Sequence, residues 1–234
     1  MNLLIIKRIF LSLFFMLIAL FMFSCKVVIM KIIAILSQKG GAGKTTLAIN
    51  LAVAANESRK QSAIIDIDPQ ASATNWYDSR DYEEPVVVSA QSARLQNVID
   101  AAKKGGADIV FIDTAPHSES ASLAAARIAD YILIPCRPAI LDLRAIGNTI
   151  DLAKLAGTKA AVVLTCVPPR GTLAQEAAEA VSTYGIDLCP SQIGQRAAFV
   201  HSITSGLSVH EYEPKGKASK EINALYKWIN KQLK

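Results

Sequence analysis

Cysteine is scarce and poorly placed for chemistry: Cys25, Cys136, Cys166 and Cys189 stand alone, with no C-x-x-C and no histidine at metal-ligand spacing. This excludes a disulfide framework and a zinc site, and leaves buried thiols in a reducing compartment as the reading. Internal repeats and low-complexity tracts are also missing. With 51% hydrophobic and 19% charged residues over 234 positions, disorder, collagen-like repetition and coiled coil are excluded too. Length and composition fit one medium-sized α/β domain or a tight pair of small ones. Because no long Pro/Gly/Ser linker divides residues 30–234, one domain is expected there.

A second absence marks a boundary. Residues 1–30 contain no Gly, no Pro and no acidic residue, yet hold five of the seven Phe and all four Met. Lys7 and Arg8 followed by the apolar run 9–23 look like the charged start and hydrophobic stretch of a signal peptide, too short for a spanning helix of ~20 residues. Ser24-Cys25 is a weak lipoprotein cleavage site, since Met22 and Phe23 stand where Leu and a small residue are usual. Against export, a phosphate-binding loop begins within fifteen residues of Cys25. Its nucleotide is cytoplasmic. The expectation is therefore that residues 1–29 come from an upstream mis-start, with signal or anchor as the alternative, and that the working chain is 30–234 from Met30. Three basic residues, Lys7, Arg8 and Lys26, precede Met30, so the net charge of +5 leaves only +2 for the rest. That excess permits anionic partners without demanding them.

From Lys31 onward, short β-branched runs alternate with Ala- and Leu-rich stretches of helical spacing. Strands are expected at 32–36, 63–67, 86–88, 109–112, 131–134 and 161–165, and helices at 45–58, 92–104, 118–129, 141–156 and 173–184. Such alternation implies βαβ units and a mainly parallel, twisted sheet with helices on both faces. Ligands of such sheets sit beyond the carboxyl ends of the strands.

At that end of the first strand stands Gln38-Lys39-Gly40-Gly41-Ala42-Gly43-Lys44-Thr45-Thr46, and a helical pattern follows. The glycines let backbone N–H groups turn inward around phosphate oxygens, and the helix N-terminus adds its positive end. Lys44 supplies a point charge and Thr45 a hydroxyl for Mg2+. Two further strands end in carboxylates on the same edge, in Ile65-Asp66-Ile67-Asp68-Pro69-Gln70 and Phe111-Ile112-Asp113-Thr114-Ala115-Pro116. A buried carboxylate needs a partner, for which Mg2+ is the obvious candidate. Capping of a following helix is the competing role, with Asp66 the least settled of the three.

The usual G-x-x-x-x-G-K-S/T pattern wants Gly where Gln38 stands, and the extra Lys39 resembles the deviant Walker A loop, K-G-G-x-G-K-S/T. The resemblance narrows to ParA-type partition ATPases of the small kind without an N-terminal DNA-binding extension. It rests on Asp66-x-Asp68-Pro69-Gln70-Ala71-Ser72, Asp113-Thr114-Ala115-Pro116, Gln195-Arg196-Ala197-Ala198-Phe199 and Pro214-Lys215-Gly216-Lys217-Ala218. It implies a P-loop NTPase fold with ATP and Mg2+ as cofactors, and a homodimer on ATP in which Lys39 reaches the partner's phosphates. It also implies Asp68 as the water-activating residue, Asp66 as a supporting carboxylate and Asp113 as the residue holding a metal-bound water. The partners it implies are nonspecific DNA and a centromere-binding adaptor that stimulates hydrolysis, in a cytoplasmic, nucleoid-associated protein.

The lysines 215, 217, 220, 227, 231 and 234 would serve DNA phosphates or merely form a solvated helix face. Ile222, Leu225, Tyr226, Trp228, Ile229 and Leu233 recur at helical spacing and read as core. The same segment would suit a membrane-targeting helix, as in the related MinD-like ATPases of the cell-division site; this is the runner-up, although a membrane partner is not expected. A non-hydrolysing nucleotide switch is a further alternative. Iron-protein reductases share the loop but need cluster cysteines in the loops after Asp68 and Asp113, where this chain has none. His117 is given no role.

Overall fold

The computed structural model describes residues 29–234. The expectations for the Lys7–Arg8 start, the apolar run and Cys25 lie outside the described residues. The strands are β1 (Lys31–Ile35), β2 (Ser62–Asp66), β3 (Val86–Ser89), β4 (Ile109–Asp113), β5 (Tyr131–Cys136), β6 (Ala160–Leu164) and β7 (Asp187–Leu188). They pair in the order β3-β2-β4-β1-β5-β6-β7, every neighbour parallel.

Continuous burial explains why these runs are apolar without alternation. Every residue of β2, β4 and β5 is buried, as a parallel sheet covered on both sides requires. Successive side chains still point to opposite faces. Ile33, Ile35, Phe111, Leu133 and Val163 enter one core layer, and Ile32, Ala34, Val110, Ile112, Ile132 and Ile134 the other.

The helices are α1 (Lys44–Glu57), α2 (Ser72–Asp78), α3 (Leu95–Lys104), α4 (Glu119–Ile128), α5 (Ile140–Ala156), α6 (Leu173–Ser182), α7 (Ala197–Thr204), α8 (Val209–Tyr212) and α9 (Lys217–Gln232). The first layer holds α1, α2 and α9, and the second holds α3, α4, α5 and α6. Helix α1 is buried all round from Leu47 to Ala55. One side meets the sheet and the other is roofed by Ile222, Leu225, Tyr226 and Ile229 of α9, so the apolar stripe of the C-terminal segment is core. Trp228 closes the layer edge-on to Tyr131, ring centroids 6.0 Å apart. All six C-terminal lysines remain exposed.

The helix expected from Ser92 opens as a 3-10 turn, Ser92–Arg94, before α3. Three helices, α2, α7 and α8, and the two-residue β7 carried no periodic signal long enough to read. Among the described residues no helix is long and apolar enough to cross a membrane.

Candidate functional site

Strand β1 lies between β4 and β5, so its C-terminal loop opens where the chain's crossovers diverge to the two sides of the sheet. Gly41 and Gly43 have φ of 69° and 97°, a region that disfavours any Cβ. Gly43 caps α1 without a side chain, leaving the first helical N–H groups to a ligand. The loop is pinned from two strands. Thr165, just past β6, donates Oγ1 to the Ala42 carbonyl at 2.8 Å, and Thr114, just past β4, donates to Ile35 at 2.9 Å. Behind the loop, the Asn50 amide donates to the Thr46 carbonyl at 2.8 Å while its oxygen accepts the Val209 N–H at 2.8 Å.

Lys44 is buried, and its ammonium folds back to the carbonyls of Ser37 at 3.1 Å and Lys39 at 3.3 Å. Burial lowers its pKa, against the pull of Asp113 and Asp68. Lys39 is half-buried on the same loop, and its N–H donates to Ser37 Oγ at 3.3 Å. Thr46 is half-buried in the first turn of α1, and Gly40 is exposed.

Asp66 and Asp113 are register partners across β2 and β4, and both are fully buried. They are not equivalent. Asp66 accepts from the N–H groups of Asp68, Ala73 and Thr74 and from the Thr74 hydroxyl, at 3.0 to 3.2 Å. Its carboxylate thus anchors the start of α2, which matches the capping role weighed for it above. Asp113 accepts from Thr45 Oγ1 at 2.6 Å through one oxygen, while the other is buried with no partner among the described residues. Burial pushes its pKa up to about 7, with Asp66 adding to the rise and the Thr45 bond opposing it. Asp68 sits half-buried on the loop beyond β2, and one oxygen accepts the Gln70 N–H at 2.9 Å.

A buried orphan carboxylate oxygen, a hydroxyl bonded to its twin and a desolvated ammonium fit a hydrated Mg2+ and a polyphosphate. Among the described residues no three His, Cys, Asp or Glu side chains converge on a metal. The Thr45 hydroxyl beside the Asp113 carboxylate suits Mg2+, which usually keeps several waters and shares its shell with substrate phosphates. Thr45, Lys44 and Asp113 are brought together. Asp68 stands near enough to Lys44 to affect its charge. Sequence reasoning passed over Thr165, Asn50 and Ser37, although a threonine directly after an apolar strand on the ligand edge is a readable signal.

Residues 33–209 match the CobQ/CobB/MinD/ParA nucleotide binding domain. The chain is 34% identical over 206 residues to the maintenance of carboxysome distribution protein A of Gloeobacter kilaueensis, covering 87% of this chain and 94% of that one. It is 33% identical over 128 residues to the sporulation initiation inhibitor protein Soj of Bacillus subtilis, covering 47% and 51%. The septum site-determining protein MinD of Pyrococcus horikoshii, solved with Mg-ADP, superposes with a TM-score of 0.74 at 20% identity over 87% of this chain and 97% of that one.

Proposed function

The chain belongs to the CobQ/CobB/MinD/ParA nucleotide-binding family of P-loop ATPases, and from that premise we propose that it binds and hydrolyses Mg2+-ATP as a homodimer that positions a cargo on bulk DNA. The observation that carries the reading is the orphaned oxygen of buried Asp113 beside Thr45 and Lys44. Thr45 and Asp113 would hold Mg2+, Asp113 through a bound water, and Asp66 would keep α2 in place beneath Asp68. When bound, the ion neutralises charge on the phosphates. Gly40, Gly41, Ala42 and Gly43 cradle the phosphates with backbone N–H groups. Lys44 stabilises charge on the transferring group, and Lys39 does so from the partner copy. Asp68 orients the attacking water or takes its proton. Catalysis of this kind is mostly positioning and electrostatics.

The six exposed C-terminal lysines support a polyanion partner. The apolar face of α9 is occupied by α1, so the helix offers ammonium groups and little apolar surface. That supports DNA over a lipid surface. Held there, the protein would be nucleoid-associated in the cytoplasm. A DNA replicon bound through a centromere-binding adaptor is one cargo. A protein body is a second reading, favoured by the identity to the carboxysome distribution protein across 94% of that relative.

DNA retention measured with ATP, ADP and rising salt tests the proposal, beside phosphate release. ATP-dependent retention that weakens steeply with salt is expected. Equal retention with ADP, or vesicle binding without DNA binding, would favour the membrane-targeting alternative.

A further inference from the structure

We propose that Arg137 is an additional cationic contact for the nucleotide's phosphate chain, set in place by Asp142; this rests on the ATP-binding reading above. Arg137 is the first residue beyond β5, which flanks β1 on the side opposite β4 and its Asp113. Its guanidinium reaches back over the phosphate loop, where Nη1 lies 4.0 Å from the position a Cβ on Gly41 would take.

The side chain is tethered from one side. Nε and Nη2 both donate to Asp142 Oδ1 at 3.3 Å, and Asp142, in the first turn of α5, is itself buried. A guanidinium carries five N–H donors in a rigid fork. Two are directed to Asp142, and Nη1, which carries two more, is the nitrogen that approaches the loop at Gly41. An anion held by the loop's amides beside Gly41 would meet them. Pro138 follows directly and fixes the chain's exit from the strand.

The charge distribution points the same way. Lys44 stands among Asp113 and Asp68 on the β4 side of the loop. On the β5 side Arg137 is set against Asp142 alone among the described residues, by long bonds, and its side chain remains 40% exposed. An ion pair so placed contributes little as a staple. As a pre-aimed fork for phosphate it has a chemical use, because bidentate recognition of phosphate is what arginine does better than lysine.

Isothermal titration of Mg-ATP and Mg-ADP into wild type, Arg137→Gln, Arg137→Lys and Asp142→Asn, at low and high salt, tests this. Arg137→Gln should weaken nucleotide binding about ten- to hundredfold and flatten its salt dependence. Arg137→Lys should recover part of the loss, and Asp142→Asn should lose less than Arg137→Gln. Loss of affinity for both nucleotides would place the contact on the α or β phosphate, and loss for ATP alone on the γ. The melting temperature without nucleotide should hold, while its rise on adding ATP shrinks. Arg137→Gln binding both nucleotides within twofold of wild type would overturn the proposal. So would a fall in nucleotide-free stability with an unchanged salt dependence of binding, which would make the residue a structural tether. A wild type that binds neither nucleotide would instead overturn the ATP-binding reading and this proposal with it.

Discussion

Replacing Asp113 with asparagine should stabilise the nucleotide-free protein most where the wild type carries its largest burden, above pH 7. The carboxyl is fully buried, its second oxygen has no partner among the described residues, and burial lifts its pKa from the ordinary 3.8 to about 7. Below about pH 4 folded and unfolded chains both hold the proton, and no penalty exists. Between about pH 4 and 7 the folded chain keeps a proton that the unfolded chain has released, so stability falls as pH rises. Above 7 the folded carboxylate is ionised in place and the penalty is complete. The displacement from 3.8 to about 7 corresponds to about 4 kcal/mol at most, of which about 2 to 3 kcal/mol accrues between pH 5 and pH 7. Asparagine is neutral at every pH and keeps an oxygen for Thr45. Its amide brings a buried donor whose cost of about 1–3 kcal/mol does not vary with pH. The slope is therefore the observable. Urea unfolding of both proteins in EDTA, without nucleotide, should show the variant gaining about 2 to 3 kcal/mol on wild type between pH 5 and pH 8. A difference that does not change with pH would refute the electrostatic account of this site. The same variant should lose Mg2+-dependent ATP turnover.

Lys44→Ala should abolish ATP binding, whereas Asp68→Ala should keep it and trap the dimer; a nucleotide titration that finds both equally defective removes the role given to Asp68. Lys39→Ala should leave a monomer's ATP affinity nearly unchanged while weakening dimerisation, since each charge-assisted contact with a partner's phosphate contributes ~1.5–3 kcal/mol. Light scattering with a non-hydrolysable analogue measures this, and wild-type association would mean that the loop has been misread. Thr165→Val should cost about 1–3 kcal/mol in chemical unfolding by stranding the Ala42 carbonyl, with Thr165→Ser close to wild type; equal stability of all three would show that the loop is not held from β6.

The parallel core was legible because five of its strands are buried on both faces and so read as unbroken apolar runs with turn residues at each end. The carboxylates at the sheet edge stood out for a related reason: Asp66 and Asp113 are charges at the ends of such runs, where only a ligand or a cap excuses them. The sequence could not tell which of the two anchors a helix. In the structure the N–H groups of Ala73 and Thr74, at the start of α2, donate to Asp66. Seven residues of α2 and four of α8 are too few for a period to show. They are held by contacts remote in sequence, such as Arg80 to Glu211 at 2.6 Å and the Trp76 indole to the Leu207 carbonyl at 3.3 Å. Thr165 was missed for a similar reason: its partner lies 123 positions away, on a loop that only sheet order brings beside it.

Helix α1 starts in the phosphate loop and is gripped on both sides, by the sheet and by α9, while Asn50 ties its first turn to the backbone at Val209. A helix held in this way has no free face along which to slide. A displacement imposed on its first turn would have to be taken up by the sheet or by α9, which carries four of the six C-terminal lysines. If the two sites are coupled through this pair, linkage fixes the form of the coupling: the factor by which ATP tightens the hold on a polyanion is the factor by which the polyanion tightens the hold on ATP. A polyanion such as DNA would then act as an effector of nucleotide affinity, and its strength could be read from either member of one helix pair.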